Sequence, residues 1–249
     1  MSQALSQFSV DALFLPRGRS AQTGSYQDPE RLKVVPSAQE LQLTVKVLKF
    51  KSGESVFEPL SPVEGLYYVK SGVIKLSSKF TCSKGRLSQD DYLIDLIGER
   101  EFFGYQDLFL HGHHEYKATA LKNTEIYLYP KDLVIKSLQE GGFLAEQILQ
   151  SVAWQSKRKE ERSKYQYLSS VGERIIQTLL ELADKFGESC PEGVWLRLKL
   201  SRGELAQLAG TINESLSRHL GELKNEGLIQ VSGKEILIKN STALRSKVS

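Results

Sequence analysis

The sequence predicts an α+β chain: an N-terminal antiparallel β-roll of jelly-roll type, a long helix, and a C-terminal winged helix-turn-helix. Three observations predict it. Short apolar runs punctuated by glycine fill the region from Val45 to Tyr129. A long helical pattern then runs from Phe143 to about Tyr167. The segment 200–229, LSRGELAQLAGTINESLSRHLGELKNEGLI, reads as two helices joined by a tight turn.

The elements follow in order. Residues 1–40 form a mixed N-terminal extension, partly disordered. Phe8, Val10, Leu13, Phe14 and Leu15 could form a short helix or strand, and 16–29 is rich in Gly, Ser, Gln and Arg. The roll spans 41–142. Val45–Phe50 alternates apolar and polar residues as a half-buried strand does, and Ser55–Phe57 follows after Gly53. Gly65–Gly72 reads as a strand ending in a turn, with Val73–Ser77 as the strand returning from it. Tyr92–Ile97 and Thr124–Tyr129 are further strands. Short strands at near-regular spacing suggest an antiparallel sandwich or roll. Pro130 opens a helix, Lys131–Gln139, which Gly141 and Gly142 stop.

The long helix occupies 143–168. Leu144, Ile148, Ser151, Val152, Gln155, Lys159 and Arg162 lie on one stripe, apolar first and charged later. Leu144, Ile148 and Val152 read as the seam of a homodimer, the alternative being packing on the chain's own roll. Residues 169–249 form the last domain. Ser169–Lys185 is a helix with Ile175, Ile176, Leu179, Leu180 and Leu182 as its apolar residues. Phe186–Glu192 is a loop, and Trp195–Leu200 a strand leading into the helix pair.

In that pair Leu205, Ala206 and Leu208 recur at helical spacing, and Gly210 sits where the turn needs a residue tolerant of unusual backbone angles. Ile212, Leu216, Leu220 and Leu223 face inward from the second helix, and Asn213, Glu214, Ser217 and Arg218 face outward. A recognition helix needs this division, because an apolar stripe seats it while polar groups near its N-terminus reach base edges in the major groove. A solvated helical hairpin would look similar. The glycine-bearing basic stretch Gln230–Lys239 directly follows, as a wing would.

Composition narrows the classes. Lys and Arg number 33 against 30 acidic residues in 249, a net charge of +3. Such a chain does not coat nucleic acid indiscriminately, so any DNA contact must be local. Lys157, Arg158, Lys159, Arg162 and Lys164 form one basic run, interrupted by Glu160 and Glu161, which a solvated helix face explains equally well. Cys82 and Cys190 lie too far apart for a disulfide framework or a CxxC metal site. They also disfavour an iron–sulfur cluster, which needs about four thiolates. No apolar run approaches ~18 residues, and no signal-peptide pattern opens the chain, so a cytoplasmic location without membrane contact is expected. No G-x-G-x-x-G after a strand, P-loop, G-x-S-x-G or H-E-x-x-H motif is present, so an enzyme is not expected.

The runs FKSGE at 50–54, LYYVKSGVIKL at 66–76, EFFG at 101–104 and RIIQTLL at 174–180, with the helix pair after them, give the chain its resemblance to the Crp/Fnr superfamily of bacterial transcription regulators. It covers about 45–240. It implies a β-roll that senses an effector, a long helix, and a winged helix-turn-helix that binds DNA. A cyclic-nucleotide binder of that family has Glu immediately after the glycine matching Gly104, and an Arg-Ser pair further on for the cyclic phosphate. Here Tyr105, Glu115 and Tyr116 stand at those positions, Arg100 replaces a usual glycine, and Lys159-Glu160-Glu161 replaces the Thr-Ser pair that meets adenine. Glu115 would set a carboxylate against the phosphate, so cyclic AMP is not the expected effector. The resemblance leaves haem, 2-oxoglutarate, a halogenated aromatic acid, cyclic di-GMP or no effector open. His111, His113 and His114 could bind metal or haem iron, or form a solvated loop.

Glu214-x-x-Ser217-Arg218 matches the recognition helix of the family's anaerobic-type branch, which implies a half-site resembling TTGAT. Arg is the bidentate partner of guanine and Glu accepts from cytosine N4. Asn213 leaves the outer bases open, Lys199 and Arg202 are candidate phosphate contacts, and His219 reads as a packing residue facing the first helix. The expected protein is thus a homodimeric regulator on a palindromic promoter site, touching RNA polymerase if it activates. The alternative is a small-molecule-binding module whose winged helix makes only protein contacts.

Overall fold

The computed structural model describes residues 45–79, 91–141 and 143–248. The N-terminal extension 1–40 and Cys82 lie outside the described residues. Two four-stranded antiparallel sheets form the roll. One runs β1(Lys46–Phe50), β8(Thr124–Pro130), β3(Gly65–Ser71), β6(Phe102–Phe103), and the other β2(Ser55–Phe57), β7(Lys117–Ala120), β4(Ile74–Ser78), β5(Tyr92–Ile97). A six-residue helix, α1(Tyr105–Leu110), sits between β6 and β7, and α2(Lys131–Glu140) follows β8. Then come α3(Phe143–Leu168), α4(Val171–Phe186), α5(Arg202–Leu208), α6(Asn213–Asn225) and α7(Ser241–Arg245). A third antiparallel sheet, in the order β11(Ile229–Ser232), β12(Glu235–Ile238), β10(Gly193–Leu196), β9(Glu188–Cys190), flanks these helices.

Within the first sheet β3 is buried on both faces over Gly65–Val69, which explains its unbroken apolar run. Tyr67 and Val69 point into the roll with Phe57, Phe103, Ile126 and Leu128. Leu66 and Tyr68 point the other way, to a second core with Phe102, Tyr129, Val134 of α2 and Ile148 of α3. The third core joins α4 to α7 and the C-terminal sheet, and it takes in Val73, Leu93 and Leu96 from the roll.

Three sequence expectations are corrected. β4 does not return alongside β3: β3 pairs with β8 and β6, and β4 with β5 and β7. The chain crosses between sheets at Gly72, whose φ of 99° and close approach to Thr124 leave no room for a side chain. The expected loop after Phe186 contains β9, an edge strand paired to β10. The strand expected over Trp195–Leu200 ends at Leu196. Arg100 takes a left-handed φ of 65°, a conformation costing a non-glycine residue of order 1–3 kcal/mol. Its amide is anchored on the Val69 carbonyl at 2.8 Å. Among the described residues no helix is long and apolar enough to cross a membrane.

Candidate nucleic-acid interface and effector pocket

The helix pair is fixed from both ends. Ser201 caps α5: its hydroxyl accepts from the Glu204 amide, and the Glu204 carboxylate accepts from the Ser201 amide at 2.7 Å. The turn closes with the Thr211 amide donating to the Ala206 carbonyl, while Gly210 takes φ of 61°. Leu216, Leu220 and Leu223 of α6 are buried, as expected. Ile212 is not: it precedes the first turn as N-cap, outside the helical stripe, and is 63% exposed. Asn213, Glu214, Ser217 and Arg218 are all exposed, with the Asn213 amide beside Gly203 of α5. Residues three and four apart share a helical face, so Glu214, Ser217 and Arg218 form one outward row. The Arg218 side chain lies 4.0 Å from Glu222 in solvent, a loose pair that leaves its fork able to meet a base edge.

Arg202 and Lys199 behave differently from each other. The Arg202 guanidinium donates to the Gly233 carbonyl at 3.1 Å and so ties α5 to the wing turn between β11 and β12. Lys199 is exposed, with a left-handed φ of 54°. Lys234, exposed at the wing turn, is a basic group that the sequence reading did not single out. His219 does not face α5. Its Nδ1 lies 2.8 Å from the Ser215 carbonyl, and its ring abuts Gly172 in the first turn of α4.

The pocket residues divide. Gly104 caps α1 in a left-handed conformation. The Tyr105 hydroxyl donates to Gln155 of α3 at 2.7 Å, and Gln155 in turn donates to the Phe102 carbonyl. Burial, then the nearby Asp95, push the Tyr105 hydroxyl pKa up. Tyr116 is buried inside the roll, where burial first and Asp107 second raise its pKa well above the usual range. Glu115 is exposed, pairs with His111 at 3.2 Å, and lines the same open pocket as Tyr116. Lys159 and Glu160 are also exposed, Glu160 pairing with Lys164 at 2.6 Å.

The histidine triplet divides as well. His114 is fully buried, with Nδ1 2.9 Å from the buried Asp107 carboxylate. Its ring stacks on Phe57 with centroids 3.5 Å apart and planes 5° apart, and Nε2 has no partner. Burial pulls its pKa down, against the opposing pull of Asp107. His114 is thus not a solvated loop residue: it is buried apart from His111 and His113, whose rings lie 6.0 Å from each other while His111 also pairs with Glu115. No three metal-ligating side chains converge among the described residues. Phe57, Tyr67, Phe103, His114 and Tyr116 form one aromatic cluster inside the roll, and Tyr116 with Asp107, Ile94 and Glu115 also lines an open pocket of about 560 Å³ beside it.

The seam stripe is also corrected. Leu144, Ile148 and Val152 pack on the outer face of the first sheet, and Ile148 is only 3% exposed. That sheet face needs an apolar cover, and this stripe supplies it. The uncovered face of α3 carries Leu149, Ala153 and Ser156, with Leu149 64% exposed.

Long-range pairs that the sequence could not reveal join the roll to the helix pair. Lys75 of β4 meets Glu204 of α5 at 2.7 Å, and the Leu93 amide donates to Gln207 at 2.7 Å. Glu101 bridges Lys185 of α4 and Arg158 of α3, at 2.6 and 3.2 Å. Lys185 also donates to the Leu96 carbonyl; burial lowers its pKa, against the pull of Glu101.

Comparison with known proteins agrees with this architecture. Residues 47–148 match the family model of the cyclic nucleotide-binding domain, and residues 173–247 that of the Crp-like helix-turn-helix domain. The chain is 27% identical to the global nitrogen regulator of Synechococcus elongatus, over 84% of this chain and 92% of that protein. It is 27% identical to the CRP-like cAMP-activated global transcriptional regulator of Mycobacterium tuberculosis, over 90% and 96%. Among solved structures, FixK2 from Bradyrhizobium japonicum superposes with a TM-score of 0.65 at 20% identity, covering 82% of this chain and 97% of that one.

Proposed function

From the premise that the chain belongs to the Crp/Fnr superfamily of transcription regulators, we propose that it acts as a homodimer on a palindromic promoter site. It is a DNA-binding transcription regulator, not an enzyme. The observation that carries the finer reading is the outward row of α6, held by three buried leucines on the other side. Arg218 reads guanine, Glu214 accepts from cytosine N4, and Ser217 supplies an adaptable hydroxyl between them. Asn213 reaches the outer bases of a half-site resembling TTGAT. Lys199 and Lys234 contact phosphates, and Arg202 steadies the wing through Gly233. The dimer forms through the Leu149–Ala153–Ser156 face of α3, and sets the two readers about one DNA turn apart, roughly 34 Å. The protein works in the cytoplasm, and as an activator it would also touch RNA polymerase.

The roll is not a cyclic-AMP site in this reading. Glu115 and Tyr116 line its open pocket, and a carboxylate and a phenol do not hold a cyclic phosphate as an Arg-Ser pair would. Control comes from another effector or from the amount of the protein. Selection from random duplexes tests the whole reading: the expected product is a palindrome with two half-sites. No enriched sequence would favour a winged helix used for protein contacts alone.

A further inference from the structure

Arg174, in the first turn of α4, holds its guanidinium between two helix ends. Its Nη1 donates to the carbonyls of Ser169, at 3.1 Å, and Gln166, at 3.4 Å, at the end of α3. Its Nε donates to Ala209 at 3.2 Å and its Nη2 to Gly210 at 3.0 Å, both in the turn between α5 and α6. All four acceptors are main-chain carbonyls. The last carbonyls of a helix have no partner within it, and the helix dipole makes that end negative. A planar cation with donors in a fork satisfies two such ends at once, which an ammonium cannot do in this geometry.

Two further side chains seat the same turn. Arg162 of α3 donates to the Leu208 carbonyl at the end of α5. A side chain at Gly210 would come within 3.2 Å of the Gln166 amide, so that turn rests directly on α3. None of these three residues is on the outward row of α6. They reach the recognition helix through the main chain that leads into it.

We propose that Arg174 is a positioning residue that fixes the angle between α3 and the recognition helix. It thereby sets the half-site spacing the dimer accepts. The inference rests on the reading of a dimer bound to two half-sites. Base chemistry stays with the exposed row, seated by Leu216, Leu220 and Leu223, so loss of Arg174 leaves the preferred half-site sequence unchanged. The lost property is the rigid link to the helix that carries the dimer axis.

The test is selection from random duplexes, followed by affinity measurements on sites lengthened or shortened by one base pair. It uses the full-length wild type, Arg174→Gln, Arg174→Lys and Arg162→Gln, with a thermal melt of each. Wild type should prefer one spacing. Arg174→Gln should keep the half-site sequence, while its preference for that spacing over a one-base-pair shift falls roughly tenfold, about 1.4 kcal/mol. Arg174→Lys, which keeps the charge and loses the fork, should behave like Gln. Arg162→Gln removes a single bond; it should relax spacing less and in the same direction, and it decides the matter if Arg174→Gln does not fold. Unchanged spacing preference in the folded variants would overturn the inference, as would wild-type behaviour of Arg174→Lys or an altered half-site sequence. A wild type that selects no paired half-sites would take down the dimer reading, and this inference with it.

Discussion

Lys75 Nζ on β4 lies 2.7 Å from a carboxylate oxygen of Glu204 on α5, both side chains about one-fifth exposed, so the roll grips the DNA-reading helix pair directly. Glu204 is also half of the capping box at Ser201. Burial pushes its carboxyl pKa up, but the bonds from Lys75 and Ser201 outweigh it and hold it below the ordinary 4.5. The stabilisation this gives is present above that value and lost as pH falls through the folded pKa.

A double-mutant cycle with Lys75→Met and Glu204→Gln should therefore show coupling of about 0.5–3 kcal/mol in chemical denaturation. Gln keeps the capping geometry, so the cycle isolates the bridge. Additive effects would mean that roll and reader are joined by their apolar contact alone.

The buried His114 makes the roll acid-sensitive. Its folded pKa lies below the ordinary 6.5, so its contribution to stability is complete above that value. The contribution falls as pH drops toward the folded pKa, because the unfolded chain binds the proton more readily. The melting temperature should fall between about pH 7 and pH 5. His114→Gln, which can still donate to Asp107, should melt lower at neutral pH and show a flatter profile. An unchanged slope in that variant would assign the effect to other groups.

Cyclic AMP should give no heat of binding in calorimetry. Tyr116→Ser combined with Glu115→Arg, at two residues that line the open pocket, should raise cyclic-nucleotide affinity, while the lost ring should cost about 3–5 kcal/mol of stability. Tight binding by the wild type would show that Glu115 and Tyr116 do not exclude the cyclic phosphate.

Two neighbouring residues of α3 should respond oppositely to a negative charge. Leu149→Glu should leave the melting temperature near that of the wild type and turn the dimer into monomers in sedimentation. Ile148→Glu buries a charge in the roll's outer core, and should unfold the roll. Retention of the dimer by Leu149→Glu would place the interface elsewhere.

How much was legible in the sequence follows from the range of each interaction. The outward row of α6 depends on helical spacing alone, and Glu214, Ser217 and Arg218 are exposed as that spacing requires. The stripe at Leu144, Ile148 and Val152 was legible as apolar, but spacing does not say whether the partner is another chain or the sheet behind it. Glu115 and Tyr116 are adjacent and line one pocket, and side-chain direction in a short irregular segment decides that Tyr116 is the buried one. Ile212 was misplaced because it sits one residue outside the helix whose period it matches. Lys75 and Glu204 are 129 residues apart, and Arg174 bonds only to main chain, so neither leaves a local pattern. The six-residue α1 and the two-residue β6 are too short to show a period.

The central claim, that α6 reads bases through its exposed row, is tested most directly by the affinity of Arg218→Ala for the selected palindrome and for the same site with its G·C pair replaced. The wild type should discriminate between them by about 1–3 kcal/mol, and Arg218→Ala should bind both almost equally while keeping its preference at the other positions. A uniform loss of affinity with the preference for G·C intact would contradict the claim and make Arg218 a phosphate contact.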